Sequence, residues 1–277
     1  MDVPSQHTLA VPGATLYYEI RGAGPLLLLI PGGNGDAGTF DGIAERLADR
    51  YRVVFYDRRS FTRSPLDGPP DDRVVTDGLD AAALLTHLTD QPAHVLGSSS
   101  GAIVALELLR ARPELVRTLV AHEPPLATLL PDAEKWLTFL DGIHEQSRTE
   151  GTPAAMAAFA KGIGLRIAPP APGEQLPPQA VEMVGRIQRN LVFWMEHELR
   201  QYPRYTPDLA ALRASADRLV LGVGRESRGT FPALPNAALA KELGLDLVEF
   251  AGDHVGYRSA PDEFAAGLDS ILTRDDR

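Results

Sequence analysis

The chain has 277 residues, 44% hydrophobic and 23% charged, enough material for a large core and for one or two domains. Its formal net charge of -10, with Lys and Arg scattered, excludes a basic face for nucleic acid and a polybasic membrane patch. There is no cysteine, which removes disulfides, zinc–cysteine sites and a thiol nucleophile, and fits a reducing compartment.

The N-terminal MDVPSQHTLAVPG has neither the basic nor the apolar region of a secretory signal. The longest apolar run, PLLLLIPGG, is far short of the about 20 apolar residues that span a bilayer. A cytoplasmic protein without membrane association is expected. TLYYEIRG (15–22) alternates and closes on glycine, as a strand does. PLLLLIPGG (25–33) is a continuous apolar run, the pattern of a strand buried on both faces. Helical spacing over 40–50 precedes a second buried strand, YRVVFYDRR (51–59). The pattern then predicts an amphipathic helix over 76–89 with Asp77 near its start, a third strand over 93–97, a helix over 100–111 and a fourth strand, VRTLVAHEP, over 116–124.

The rhythm then stops. From about 125 to 207 only helical patterns occur, interrupted by the proline-rich connector APPAPGEQLPP. Strands resume with DRLVLGVG (217–224) and DLVEFAG (246–252), separated by a helix near 236–243 and followed by a last helix from Pro261. Alternating strands and helices give an α/β fold, a mostly parallel sheet with helices on both faces. Ligand sites in such sheets collect at the carboxyl ends of the strands, and the insert is expected to be a helical cap over that end. The chain then divides into a core of 1–128 plus 209–277 and a cap, or lid, of 129–208.

GSSSG (97–101) lies between the third strand and its helix and matches G-x-S-x-G, with Ser99 central. In the sharp strand-to-helix turn called the nucleophile elbow, the flanking residues must be small. The turn lifts the central hydroxyl clear of the sheet and aims the next amide, that of Ser100, at a substrate oxyanion. The bland alternative is a serine-rich helix N-cap. A serine nucleophile needs a base. Of the seven histidines, His254 lies just after the last predicted strand and before the last helix, at the same sheet edge as Ser99. A second oxyanion donor is expected from the loop IPGGNGDAG, where Gly33 is the best placed, since glycine lets a backbone approach a ligand closely.

With these motifs the chain resembles the α/β-hydrolase family over nearly its whole length. YDRRSFTRS also resembles that family's D-x-R-G-x-G-x-S loop, with Ser60 and Thr62 where glycines are usual, so the loop must bend differently or tolerate strain. Within the family it is most similar to the zearalenone lactone hydrolases. SSSG, AHEPPLATLL, QYPRYTP and HVGYRSAPDEFA stand where those enzymes carry a C-S-S-G-type elbow, CHELP, GYPR and HFPYVSHPDVFA. The resemblance implies an α/β-hydrolase fold and no metal or organic cofactor.

The acid that orients His254 has three candidates. Most members of the family carry G-x-x-D after the later strand, but here GVGRES puts Ser227 where the aspartate is expected, with Glu226 one position away. Asp253 is beside the histidine. Glu123 ends the strand that follows the nucleophile helix, a place that haloalkane dehalogenases and the zearalenone lactonases use, and is the preferred choice. His122 beside it reads as a packed neighbour of the site.

The expected enzyme is a serine hydrolase of a carboxylic ester or lactone, forming an acyl-enzyme on Ser99, with His254 as base, Glu123 as acid and the Gly33 and Ser100 amides as oxyanion hole. Trp136, Phe139, Phe193, Trp194, Met195, Tyr202 and Tyr205 are candidate cap walls; Trp194 and Tyr202, with Gly32 beside Gly33, are expected to contact the substrate. The expected partner is that small molecule alone, without nucleic acid or membrane, bound by a monomer or homodimer. The same residues could serve a thioesterase, a carbon–carbon bond hydrolase or a cofactor-free perhydrolase, or a slow-turnover ligand receptor.

Overall fold

The structure, a computed structural model, describes residues 4–69, 73–165 and 178–273. Eight strands form one sheet: β1 (Ser5–Val11), β2 (Ala14–Arg21), β3 (Leu26–Ile30), β4 (Arg52–Tyr56), β5 (Ala93–Ser98), β6 (Val116–His122), β7 (Leu219–Gly224) and β8 (Leu247–Phe250), in the order β1-β2-β4-β3-β5-β6-β7-β8. The pairs β1–β2 and β2–β4 are antiparallel and the rest are parallel.

The apolar run of β3 explains the layers. Successive side chains leave a strand on opposite faces. Leu26, Leu28 and Ile30 pack in one core with α2 (Arg73–Leu88), α3 (Ser100–Ala111) and α8 (Ala233–Leu243). Leu27 and Leu29 pack in the other, with α1 (Asp41–Leu47) and α10 (Pro261–Leu272). Both faces of the strand are dry, so no polar residue interrupts it. This is the α/β-hydrolase architecture expected from the sequence.

β3 lies between β4 and β5, where the strand order changes direction. A crevice opens at such a point above the carboxyl ends of the strands. The register aligns those ends: Ile30 stands opposite Gly97, Ser98 opposite His122, and His122 opposite Gly222. The residues that follow each strand therefore leave the sheet side by side.

Between β6 and β7 the described residues hold helices and no strand: α4 (Ala133–Thr149), α5 (Thr152–Ile163) and α6 (Pro178–His197), then α7 (Leu209–Ala214). Apart from its last proline, the connector APPAPGEQLPP lies outside the described residues. The insert has an apolar core of its own, built on Leu140, Ile143, Ala155, Trp194, Met195 and Leu199, and it reaches Phe61 of the main body. Among the described residues no helix is long and apolar enough to cross a membrane.

Besides the short α7, two elements were not read from the sequence. β1 is an edge strand with mostly exposed residues, so its side chains carry no burial pattern. Its signal is the Pro12–Gly13 turn into β2: Gly13 has φ 76°, which a proline–glycine turn requires. The other is the single-turn helix α9 (Gly256–Ser259), too short to show a period.

Candidate active site

Ser99 sits between β5 and α3 with φ 56° and ψ −124°, a conformation that costs a non-glycine residue about 1–3 kcal/mol. The surroundings impose it. A Cβ on Gly97 would lie 2.3 Å from the Gly101 carbonyl oxygen, and one on Gly101 would lie 2.2 Å from that of Ile30. The Ser99 amide donates to His122 O at 2.9 Å. The turn is thus the tight elbow that GSSSG predicts, with the serine side chain at its apex.

Glu123 follows β6 directly and also has positive φ, 53°. Its carboxylate is fully buried: Oε1 accepts from the Gly224 amide at 2.8 Å and Oε2 from His254 Nδ1 at 2.6 Å. Burial alone would raise its pKa, but the His254 hydrogen bond and charge, the nearby His122 and the Gly224 amide together hold it at about 2. With the carboxylate ionised, Nδ1 carries the imidazole proton and Nε2 is left as the basic nitrogen. His254 lies in the turn after β8, which approaches β7 closely because residue 224 is glycine: a Cβ there would lie 2.6 Å from Asp253 O. The structure therefore brings Glu123, and neither rival, to His254. Glu226 is exposed and its amide donates to Gly252 O, while Asp253 Oδ1 accepts from the Val255 amide. His122 is buried beside Phe250 and Phe264, and burial lowers its pKa to about 4, opposed by the Glu123 charge.

Ser99 and His254 line one cavity of about 180 Å³, together with Gly32, Gly33 and Ser100. Neither the Gly33 nor the Ser100 amide has an acceptor among the described residues; Ser100 opens α3, where amides lack intrahelical partners. Most of the wall is apolar and comes from the insert: Leu140, Met156, Phe159, Leu191, Trp194 and Leu199, with Phe231 after β7. Trp194 packs on the glycine loop so closely that a Cβ on Gly33 would lie 2.3 Å from its Nε1. Tyr202, expected beside it, does not line the cavity; this is a correction. Its ring is 1% exposed, and its hydroxyl donates to Asp77 and accepts from Arg58. Two buried charges claim the hydroxyl, and no periodicity in the sequence could foretell them. Trp136, Phe139, Phe193, Met195 and Tyr205 also pack elsewhere, Trp136 against Phe231 at 4.3 Å between ring centres.

YDRRSFTRS, which lacks the usual glycines and so must bend differently or tolerate strain, is strained in the structure. Ser60 has φ 72°, and its hydroxyl accepts from Arg73 Nη1, a bond glycine could not make. Thr62 donates its amide to Asn190 Oδ1 of α6 at 3.0 Å. In the same loop Arg58, 0% exposed, reaches Glu198 just beyond α6, and Arg59 holds Asp80. Among the described residues no three His, Asp or Glu side chains converge as metal ligands.

A model of the alpha/beta hydrolase family matches residues 27–267. The chain is 35% identical to the uncharacterized hydrolase YraK of Bacillus subtilis (strain 168), covering 97% of this chain and 96% of that one. It is 26% identical to the zearalenone hydrolase of Bionectria ochroleuca, covering 94% and 95%. Among solved structures, a thermophilic esterase from Thermogutta terrifontis superposes with a TM-score of 0.75 at 19% identity, covering 99% of both chains.

Proposed function

The chain belongs to the alpha/beta hydrolase family, and from that premise we propose that it is a serine hydrolase cleaving an uncharged carboxylic ester or lactone. Ser99 Oγ attacks the carbonyl carbon while His254 Nε2 takes the hydroxyl proton. Glu123 keeps the imidazole in the Nδ1–H form and stabilises the imidazolium. The oxyanion is held by the Gly33 and Ser100 amides. His254 then gives its proton to the leaving alkoxide, and water, activated by the same imidazole, releases the acid from Ser99.

The observation that carries this reading is the 2.6 Å Glu123–His254 hydrogen bond at the rim of the cavity that Ser99 also lines. An uncharged substrate follows from the walls. Apart from His254, their ionisable side chain with a formal charge is Glu198, already paired with Arg58 and Arg73. A substrate carboxylate would be desolvated there without a partner. A lactone is favoured within this class by the zearalenone hydrolase relative.

The test is a panel of p-nitrophenyl esters and macrolactones with wild type and Ser99→Ala, together with a fluorophosphonate label mapped by mass spectrometry. Turnover lost in Ser99→Ala and label on Ser99 are expected. Label on Ser98 or Ser100, or tight ligand binding without turnover, would overturn the reading.

A further inference from the structure

We infer that Arg58 is the positioning residue of the oxyanion loop, and that the insert completes it through Glu198. This rests on the reading of Gly33 as an oxyanion donor. The Gly32 carbonyl and the Gly33 amide belong to one planar trans peptide, so they point in opposite directions. Arg58 Nη2 donates to Gly32 O at 3.0 Å, and the Gly35 amide donates to the same oxygen at 2.9 Å. Arg58 does not line the cavity; it grips the loop from behind. Fixing that oxygen on the far side fixes the Gly33 N–H on the cavity side. Arg58 Nε holds the preceding carbonyl, Pro31 O, at 3.0 Å. One rigid guanidinium plane thus sets two successive peptides.

The guanidinium is itself set from the other side. Glu198 Oε2 accepts from Nη2 at 2.7 Å, and Nη1 donates to Asp77 Oδ2 at 2.7 Å, with Glu198 Oε1 and the Tyr202 hydroxyl at 3.0 Å. Glu198 lies one turn beyond Trp194, whose carbonyl accepts its amide at 2.9 Å. The same stretch of the insert therefore meets the glycine loop twice: Trp194 packs on Gly33, and Glu198 holds the arginine behind Gly32. Seating the insert and aiming the amide become one event. Arg58→Lys keeps the charge and loses the planar fork, and Glu198→Gln keeps the shape and loses the charge.

Both variants are assayed on p-nitrophenyl acetate and on a bulkier p-nitrophenyl ester. Each is also tested with a trifluoromethyl ketone, on which Ser99 Oγ bonds to the carbonyl carbon, its proton passes to His254 and the carbonyl oxygen becomes an oxyanion. Arg58→Lys is expected to lower kcat about 100-fold on both esters, as loss of an oxyanion donor does. It should weaken the ketone by a similar factor and leave KM nearly unchanged. Glu198→Gln, which removes the anion and puts an NH2 in place of one of the two oxygens that accept from Arg58, should lose about ten-fold in the same pattern. Where a separate sample shows that fluorophosphonate labels Ser99, a wild-type kcat in unlabelled Arg58→Lys overturns the inference, as does a loss confined to KM with ketone affinity unchanged. If Arg58→Lys does not fold, Glu198→Gln decides: unchanged kcat on the acetate, or a loss on the bulky ester alone, overturns it. Absence of label on Ser99 would instead sink the parent reading.

Discussion

Glu123 and Glu198 are both 0% exposed, one directly after β6 and one just beyond α6 in the insert, yet the two regions around them differ in what they can do. Glu123 faces an imidazole, a group that can take up and give back a proton, on a residue that lines the cavity. Glu198 faces two guanidiniums, Arg58 and Arg73, which do not give up a proton. Burial pulls the Arg58 pKa down, but Glu198, Tyr202 and Asp77 hold it far above its usual value. The first pair can carry a proton to a substrate; the second can only hold parts in place. Burial of a carboxylate is thus not a sign of catalysis until its partner is known.

Activity gives the sharpest way to break this comparison. Glu123→Ala should lower kcat about 10⁴-fold, as loss of a triad acid does. Glu226→Ala should leave it near wild type. Circular dichroism checks that each is folded. The reverse ranking would move the acid to Glu226.

Stability tests the Glu198 region separately from activity. Glu198→Ala leaves Asp77 as the remaining carboxylate for two buried guanidiniums, Arg58 and Arg73, so unfolding in urea should show a loss of about 3 kcal/mol. A loss below about 1 kcal/mol would mean that the pairs are not distinguished by what they hold.

Acid sharpens the contrast further. The Glu123 pKa is lowered from 4.5 to about 2, so its contribution is complete above pH 4.5 and is lost as pH falls from 4.5 to 2. The His122 pKa is lowered from 6.5 to about 4, so the folded state favours its neutral form. That contribution is complete above pH 6.5 and is lost as pH falls from 6.5 to 4. Each amounts to about 3 kcal/mol. Urea midpoints measured against pH should show both limbs; His122→Leu should flatten the upper one and Glu123→Gln the lower. An unchanged upper limb in His122→Leu would assign it to another group.

The smallest expected effect concerns the walls. Trp194→Ala should lower kcat/KM for a bulky aromatic ester about ten-fold more than for p-nitrophenyl acetate, because it removes apolar contact from the larger acyl group. Equal losses on both would count against the insert as the specificity element, and so against its reading as a lid.

Much of the fold and part of the candidate site can be read in the chain because they depend on near neighbours. The unbroken apolar runs of β3 and, after Arg52, of β4 mean dry strands wherever they lie. GSSSG means a tight turn, because Gly97 meets the Gly101 carbonyl that the turn itself brings close, although Gly101 meets Ile30 of the neighbouring β3. His254 could be placed at the sheet edge by counting strands alone. Trp194 lines the cavity and Tyr202 does not, although both lie in one short segment of the insert, because their surroundings come from different parts of the chain.

What the sequence determined by itself was the order of strands and helices, the elbow at Ser99 and the sheet edge where chemistry could gather, all set by local size and periodicity. Tertiary structure alone decided that Glu123 and not Glu226 meets His254, 131 positions away. It also decided that Arg58 and Glu198, 140 positions apart, close on each other behind the glycine loop. A hydrogen bond is made or lost over a fraction of an ångström, and that distance is set by strand register and by the packing of the insert, which no stretch of neighbouring residues contains.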